Sequence, residues 1–166
     1  MRSRLLVAAA SMAEVVRSAG GWVFDRGMAG WDVVVLTPDR GDPRPLRILG
    51  ARAADLECAL AAPVRGRRPQ ALAVCADLYA ADERVRRMVI DALDGGRVEV
   101  TLWGDRWPAE LDPAASPAPH RLSLAARAFK ARAMGAASCP LGGGCEPCEP
   151  TEMFRRGELA RTLRST

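Results

Sequence analysis

Residues 71–103 read ALAVCADLYAADERVRRMVIDALDGGRVEVTLW, and this stretch decides the fold class. It opens on an unbroken small and apolar run, residues 71–76, without the apolar–polar alternation of a strand that has one wet face. Such a run suits a strand buried on both faces. A helix is expected over residues 80–93, with Val85, Met88, Val89, Ala92 and Leu93 turned inward at helical spacing and Glu83, Arg84, Arg86, Arg87 and Asp91 turned outward. Gly95 and Gly96 stop it, and VEVTLW, residues 98–103, is the next strand. Strand, helix, strand is a βαβ unit, whose two strands are parallel and whose sheet carries helices on both faces.

Upstream, residues 5–10 read as a short buried strand and residues 12–28 as a helix with Val15, Val16, Ala19, Val23 and Phe24 on one face. Gly20 and Gly21 weaken that helix and point to close packing or a kink. The β-branched run at residues 33–36, closed by Pro38, is a second strand buried on both faces. Residues 46–49 form a weaker strand candidate, followed by a helix over residues 52–62. The link from 36 to 46 is too short for a helical crossover, so these strands pair antiparallel or are not neighbours.

Downstream, RWPAELDPAASPAP, residues 106–119, holds four prolines and reads as a linker or wrapping loop. A helix follows over residues 120–136, with Leu122, Ala125, Ala126, Phe129 and Ala133 on one face and Arg127 and Lys130 away from it. A final helical stretch is expected over residues 152–163, with Met153, Phe154, Leu159 and Leu163. The expected architecture is three-layer α/β: a mostly parallel, Rossmann-like sheet of four to five strands with helices on both faces, plus a C-terminal Cys-rich tail. Its parts are a core (1–105), the proline-rich segment (106–119), a helix packing on the core (120–137) and the tail with its terminal helix (138–166).

Composition sets limits on function. The 166 residues, 49% hydrophobic and 27% charged, match one globular domain, and no span approaches the roughly 20 apolar residues that cross a bilayer. The formal charge of +4 is spread along the chain and almost wholly arginine; Lys130 is the only lysine. Nucleic-acid binding normally shows as a basic patch, and none is evident; Arg65, Arg67 and Arg68 cluster in a loop entering the strand at residue 71, at the opposite edge from the acidic residues considered below. The opening MRSRLLVAAASMA imitates a signal peptide, but its apolar run is too short, and with five cysteines in no framework the expected location is cytoplasmic.

Residues 5–39 resemble the opening of Rossmann-type and glycosyltransferase-type nucleotide-binding domains, with a strand, a helix and a strand that ends in an acidic residue. The turn reads AAASMA where a dinucleotide fold places glycines for close approach to a pyrophosphate, so no family follows from it.

Open α/β sheets bind ligands outside the carboxyl ends of their strands. Three aspartates stand there, Asp39, Asp77 and Asp105, able to hold Mg²⁺ or serve as acid and base; each also suits a turn or a helix cap. Trp103 and Trp107 flank Asp105 and could wall a pocket. In CPLGGGCEPCEP, residues 139–150, Cys145 and Cys148 have the C-x₂-C spacing of half a zinc site, with Cys139 as a third thiolate. The fourth ligand would be His120, Cys58, Glu146 or Glu149, and a [4Fe–4S] cluster also accepts three cysteines. Cys58 and Cys75 lie on apolar faces and read as small buried hydrophobes. The expectation is therefore a non-enzymatic binding or accessory protein, whose Cys-containing tail docks a protein partner or a second copy, with its three thiols either holding a structural metal, free in the tail or forming a redox couple. The alternative is a Mg- or nucleotide-dependent enzyme built on the strand-end aspartates.

Overall fold

The structure is a computed structural model and describes residues 2–62, 68–137 and 148–157. Five parallel strands form the body of one sheet: β1 (Arg4–Ala8), β2 (Asp32–Thr37), β3 (Arg52–Asp55), β4 (Ala71–Cys75) and β5 (Glu99–Trp103). Two antiparallel strands, β6 (Ala115–Pro117) and β9 (Arg155–Gly157), extend it, giving the order β3-β2-β1-β4-β5-β9-β6. A second, two-stranded sheet pairs β7 (His120–Arg121) with β8 (Thr151–Glu152). The chain is thus α/β with a mostly parallel seven-stranded sheet. This corrects the expected four to five strands.

The apolar runs are buried as two-sided strands must be. All five residues of β4 are buried, and Val33, Val34, Val35 and Leu36 of β2 lie in the same core. Between β1 and β2 runs α1 (Met12–Met28), and its residues Val15, Val16, Ala19 and Val23 are fully buried. The connection between β4 and β5 is two helices, α4 (Ala76–Ala81) and α5 (Glu83–Gly95), where one was expected. Asp82 divides them, because its carboxylate caps α5 by accepting the Arg84 N–H at 2.9 Å. Val85, Val89 and Leu93 of α5 bury at helical spacing. Among the described residues no helix is long and apolar enough to cross a membrane.

Four more expectations are corrected. Residues 46–49 are not a strand: α2 (Arg44–Ile48) carries Pro45 in its first turn, and Leu46 and Leu49, three apart, bury together. So short an apolar run fits either period. Residues 52–55, expected as helix, are β3, with Asp55 capping the short α3 (Leu56–Ala61). Three of the four β3 residues are exposed on the sheet edge, so the strand rests on its backbone pairing to β2 and carries no hydrophobic alternation. The helix expected from residue 120 is α6 (Leu124–Ala137), because Ser123 Oγ accepts the Ala126 N–H at 3.0 Å and so caps it. His120 and Ser123 both bond the Asp25 carboxylate, His120 Nε2 at 2.8 Å, which ties the start of α6 to α1. Lastly, residues 151–157 are strands rather than a terminal helix, and the expected continuation to residue 163 lies outside the described residues.

Helices α1, α2 and α6 pack against one another, and α5 packs on β4 and β5, consistent with three layers. Close packing of α1 explains Gly21. A Cβ there would fall 2.2 Å from Leu122 Cγ, closer than any real contact allows. Gly27 of the same helix has no side chain near it, the nearest atom to a built Cβ being the Leu49 carbonyl oxygen at 3.9 Å. Urea denaturation should therefore separate the two glycines. Gly21→Ala is expected to lower stability by about 1–3 kcal/mol through overpacking, whereas Gly27→Ala is expected to raise it by up to about 1 kcal/mol through helix propensity.

Candidate functional site

Strand order reverses between β1 and β4, and at such a switch point the connections leave to opposite sides and open a crevice at the carboxyl ends. A cavity of about 400 Å³ lies there. Its walls are Glu14, Arg17 and Ser18 of α1, Asp77 of α4, Trp103 with Gly104 and Asp105 after β5, Lys130 of α6, and Glu149, Thr151, Glu152 and Met153. Gly104 shapes the turn that presents Asp105. Its φ of +124° suits glycine alone, and a Cβ would press on Ala76 Cβ at 3.2 Å, so the end of β5 lies directly against the start of α4, where Asp77 stands.

The strand-end candidates divide. Asp77, Asp105 and Trp103 line the cavity. Asp39 does not: it accepts the Met12 N–H at 3.0 Å and the Gly41 N–H at 2.9 Å, capping the first turn of α1 and closing its own loop. Trp107 packs partly buried against the core, with the Arg155 guanidinium 4.9 Å above its ring. Of the tail thiols, Cys139 and Cys145 lie outside the described residues; Cys148 is half-buried, 3.7 Å from the Met134 sulfur. Of the fourth-ligand candidates, Glu149 lines the cavity, Glu146 lies outside the described residues and His120 is engaged with Asp25. Cys58 corrects the reading of a buried hydrophobe: it is exposed and donates to Asp55 at 3.3 Å. That hydrogen bond, with the carboxylate's charge, raises the Cys58 thiol above its ordinary pKa.

Glu14 escaped the sequence reading, although its signal was present. Ser11-Met12-Ala13-Glu14 is a capping-box pattern, in which the serine takes the glutamate N–H and the glutamate reaches back. Here the first half forms, with Ser11 Oγ accepting the Glu14 N–H at 3.2 Å. The carboxylate instead accepts the Cys75 thiol and faces the cavity, so it is free for chemistry rather than spent on the cap. Burial first, then the bond to Glu14, pushes the Cys75 thiol up to about 12, so it stays protonated and is a donor, not a nucleophile.

Lys130 corrects a second reading. It was expected on the outer face of α6, yet its side chain is 3% exposed and its Nζ lies 2.6 Å from Glu152 Oε2. Glu152, 2% exposed at its side chain, also accepts the backbone N–H groups of Gly21 at 2.9 Å and Trp22 at 2.6 Å. Nothing local to α6 announces a buried ammonium, because its counter-charge comes from a strand 22 residues on. Among the described residues no three His, Cys, Asp or Glu side chains form a group able to hold a metal.

No protein-family model matches the chain, and no curated protein matches it. Solved structures do. A triple mutant of a deacetylase of the teicoplanin biosynthetic pathway aligns with a TM-score of 0.64 at 14% identity, over 93% of this chain and 97% of that one. The 4-carboxy-2-hydroxymuconate hydratase GalB from Pseudomonas putida KT2440 aligns with a TM-score of 0.60 at 12% identity, over 92% and 95%. The A40926 pseudoaglycone deacetylase Dbv21 gives 0.57 at 15% identity, over 95% and 97%. At such identities the likeness is one of fold. It overturns the expectation of a non-enzymatic accessory protein, since this chain is built on a fold that deacetylases and a hydratase use over nearly their whole length.

The state of Cys75 is directly testable. Alkylation of the native protein at about pH 8, read by peptide mass spectrometry, should label the exposed Cys58 and leave Cys75 unmodified until the chain is unfolded. Because the folded state holds the Cys75 proton more tightly than the unfolded chain, the site favours folding while the thiol stays protonated. That contribution fades as pH climbs from the ordinary thiol value of 9.0 toward 12.

Proposed function

We propose that the protein is an enzyme that activates water in the switch-point cavity, with Glu14, Asp77 and Asp105 as its acid and base groups. One observation carries the reading: three carboxylates from three separate strand–helix connections open into the same cavity. The Asp77 and Asp105 residues are exposed and their carboxylates have no hydrogen-bond or ion-pair partner among the described residues, so both can bind substrate or exchange protons. Glu14 is partly buried and accepts the Cys75 thiol on Oε1, which orients its carboxylate and leaves the other oxygen to take a proton from a bound water. The fold neighbours named as deacetylases and a hydratase support the class, since deacetylation by hydrolysis and hydration of a double bond both require an activated water.

The test is a panel of N-acylated amines and unsaturated carboxylic acids incubated with the full-length protein, with products read by mass spectrometry. Turnover of a member by hydrolysis or by gain of one water is expected. Glu14→Gln, Asp77→Asn and Asp105→Asn, each checked for native circular dichroism, should then lower kcat, with the residue acting as base costing about 10²–10⁴-fold. An active protein in which all three variants stay within about tenfold of the parent would contradict the assignment.

A further inference from the structure

We infer that Cys75 is a positioning residue, whose thiol draws the Glu14 carboxylate off the cap of α1 and holds it at the cavity. The inference rests on the proposed role of Glu14 as base, but the hold itself is readable without turnover.

The start of α1 offers the carboxylate another place. Ser11 has the extended backbone of an N-cap, with φ −145° and ψ 155°, and its Oγ accepts the Glu14 N–H. In a completed capping box the glutamate three residues on accepts the Ser11 N–H in return. That second bond is not made. Glu14 Oε1 takes the Cys75 thiol, and the Ser11 N–H has no acceptor among the described residues.

Donor strength does not explain the choice, because a thiol is a weaker donor than a backbone N–H. Burial does. Ser11 is half-buried, where water can serve its N–H. Cys75 is 1% exposed, and Glu14 is the acceptor of its thiol, which would otherwise be buried unpaired. The sheet sets the sulfur there: Ala8 of β1 pairs with Val74 of β4, and Cys75 is the next residue, so the end of β4 brings the thiol to the first turn of α1. Without the thiol, the capping box offers the carboxylate the Ser11 N–H, and Glu14 turns to it and away from the water it is to activate.

Full-length Cys75→Ala and Cys75→Ser are compared with the parent, with Cys75→Val in place of the alanine variant if that one does not fold. Hydrogen exchange at the Ser11 amide, followed by ¹H–¹⁵N NMR, reads the cap directly. In Cys75→Ala this amide is expected to exchange about tenfold or more slower than in the parent, and adding Glu14→Ala should abolish the slowing. Cys75→Ser keeps a donor and should exchange as the parent does. On a substrate from the panel above, Cys75→Ala is expected to lower kcat by about 10- to 10²-fold with KM within about threefold, and Cys75→Ser to recover most of the loss. A Ser11 amide that exchanges alike in the parent and in Cys75→Ala would overturn the inference, as would an active protein whose kcat that substitution leaves unchanged. A Ser11 response in a protein that turns over nothing would uphold the hold on Glu14 while the proposed function failed. Turnover that needs Glu14, with neither Ser11 nor kcat responding to Cys75→Ala, would do the reverse.

Discussion

The carboxylate of Glu152 joins three parts of the chain that lie far apart in sequence: its own strand β8, the Lys130 ammonium of α6, and the Gly21 and Trp22 N–H groups of α1. Removing an ammonium and a carboxylate from water is expensive, and the pair survives only because every oxygen of Glu152 is engaged. Breaking such a pair by deleting one partner typically costs about 3–5 kcal/mol, since a bare charge is left inside. Its yield here is position more than stability. Glu152 fixes where residues 148–157 lie against α1, and that segment supplies one wall of the cavity.

Phe154 reinforces the placement. It is 2% exposed, with the Trp22 ring at 5.0 Å and the Trp103 ring at 6.5 Å edge-on, and from it the chain runs straight into β9 on the flank of β5. The last described segment thus has a polar anchor and an aromatic one, two residues apart. Between them Met153, 62% exposed, turns to the cavity side. The parallel strands supply the opposite wall, where the switch point presents Glu14 from one connection and Asp77 and Asp105 from the others. The site is therefore an interlock of a parallel sheet, which supplies acids, and a late segment, which closes the space around them.

The parts legible in the sequence were those with a single hydrophobic period. Residues 12–28 are a helix as read, and residues 33–36 and 71–75 lie in strands buried on both faces, because long or continuous apolar patterns leave few alternatives. What could not be read lacked such a pattern. Strands β3, β6 and β9 are RAAD, ASP and RRG, short pieces in the outer parts of the sheet that are defined by backbone partners and not by side chains. Asp77, Asp105 and Trp103 could be named as edge residues from strand ends alone, whereas Asp39 shows the same sequence context spent on a helix cap. Lys130 and Glu152 were invisible as a pair, since each is an ordinary charged residue until the fold brings them to 2.6 Å.

The central claim is that Glu152 positions the closing segment and thereby the cavity. Hydrogen–deuterium exchange of Glu152→Leu against the parent tests it most directly. The account predicts that protection falls in the peptides covering residues 151–157 and around Gly21 and Trp22, while β1, β2 and β4 exchange as slowly as before. Unchanged protection across residues 151–157, or a uniform loss over the whole sheet, would contradict it.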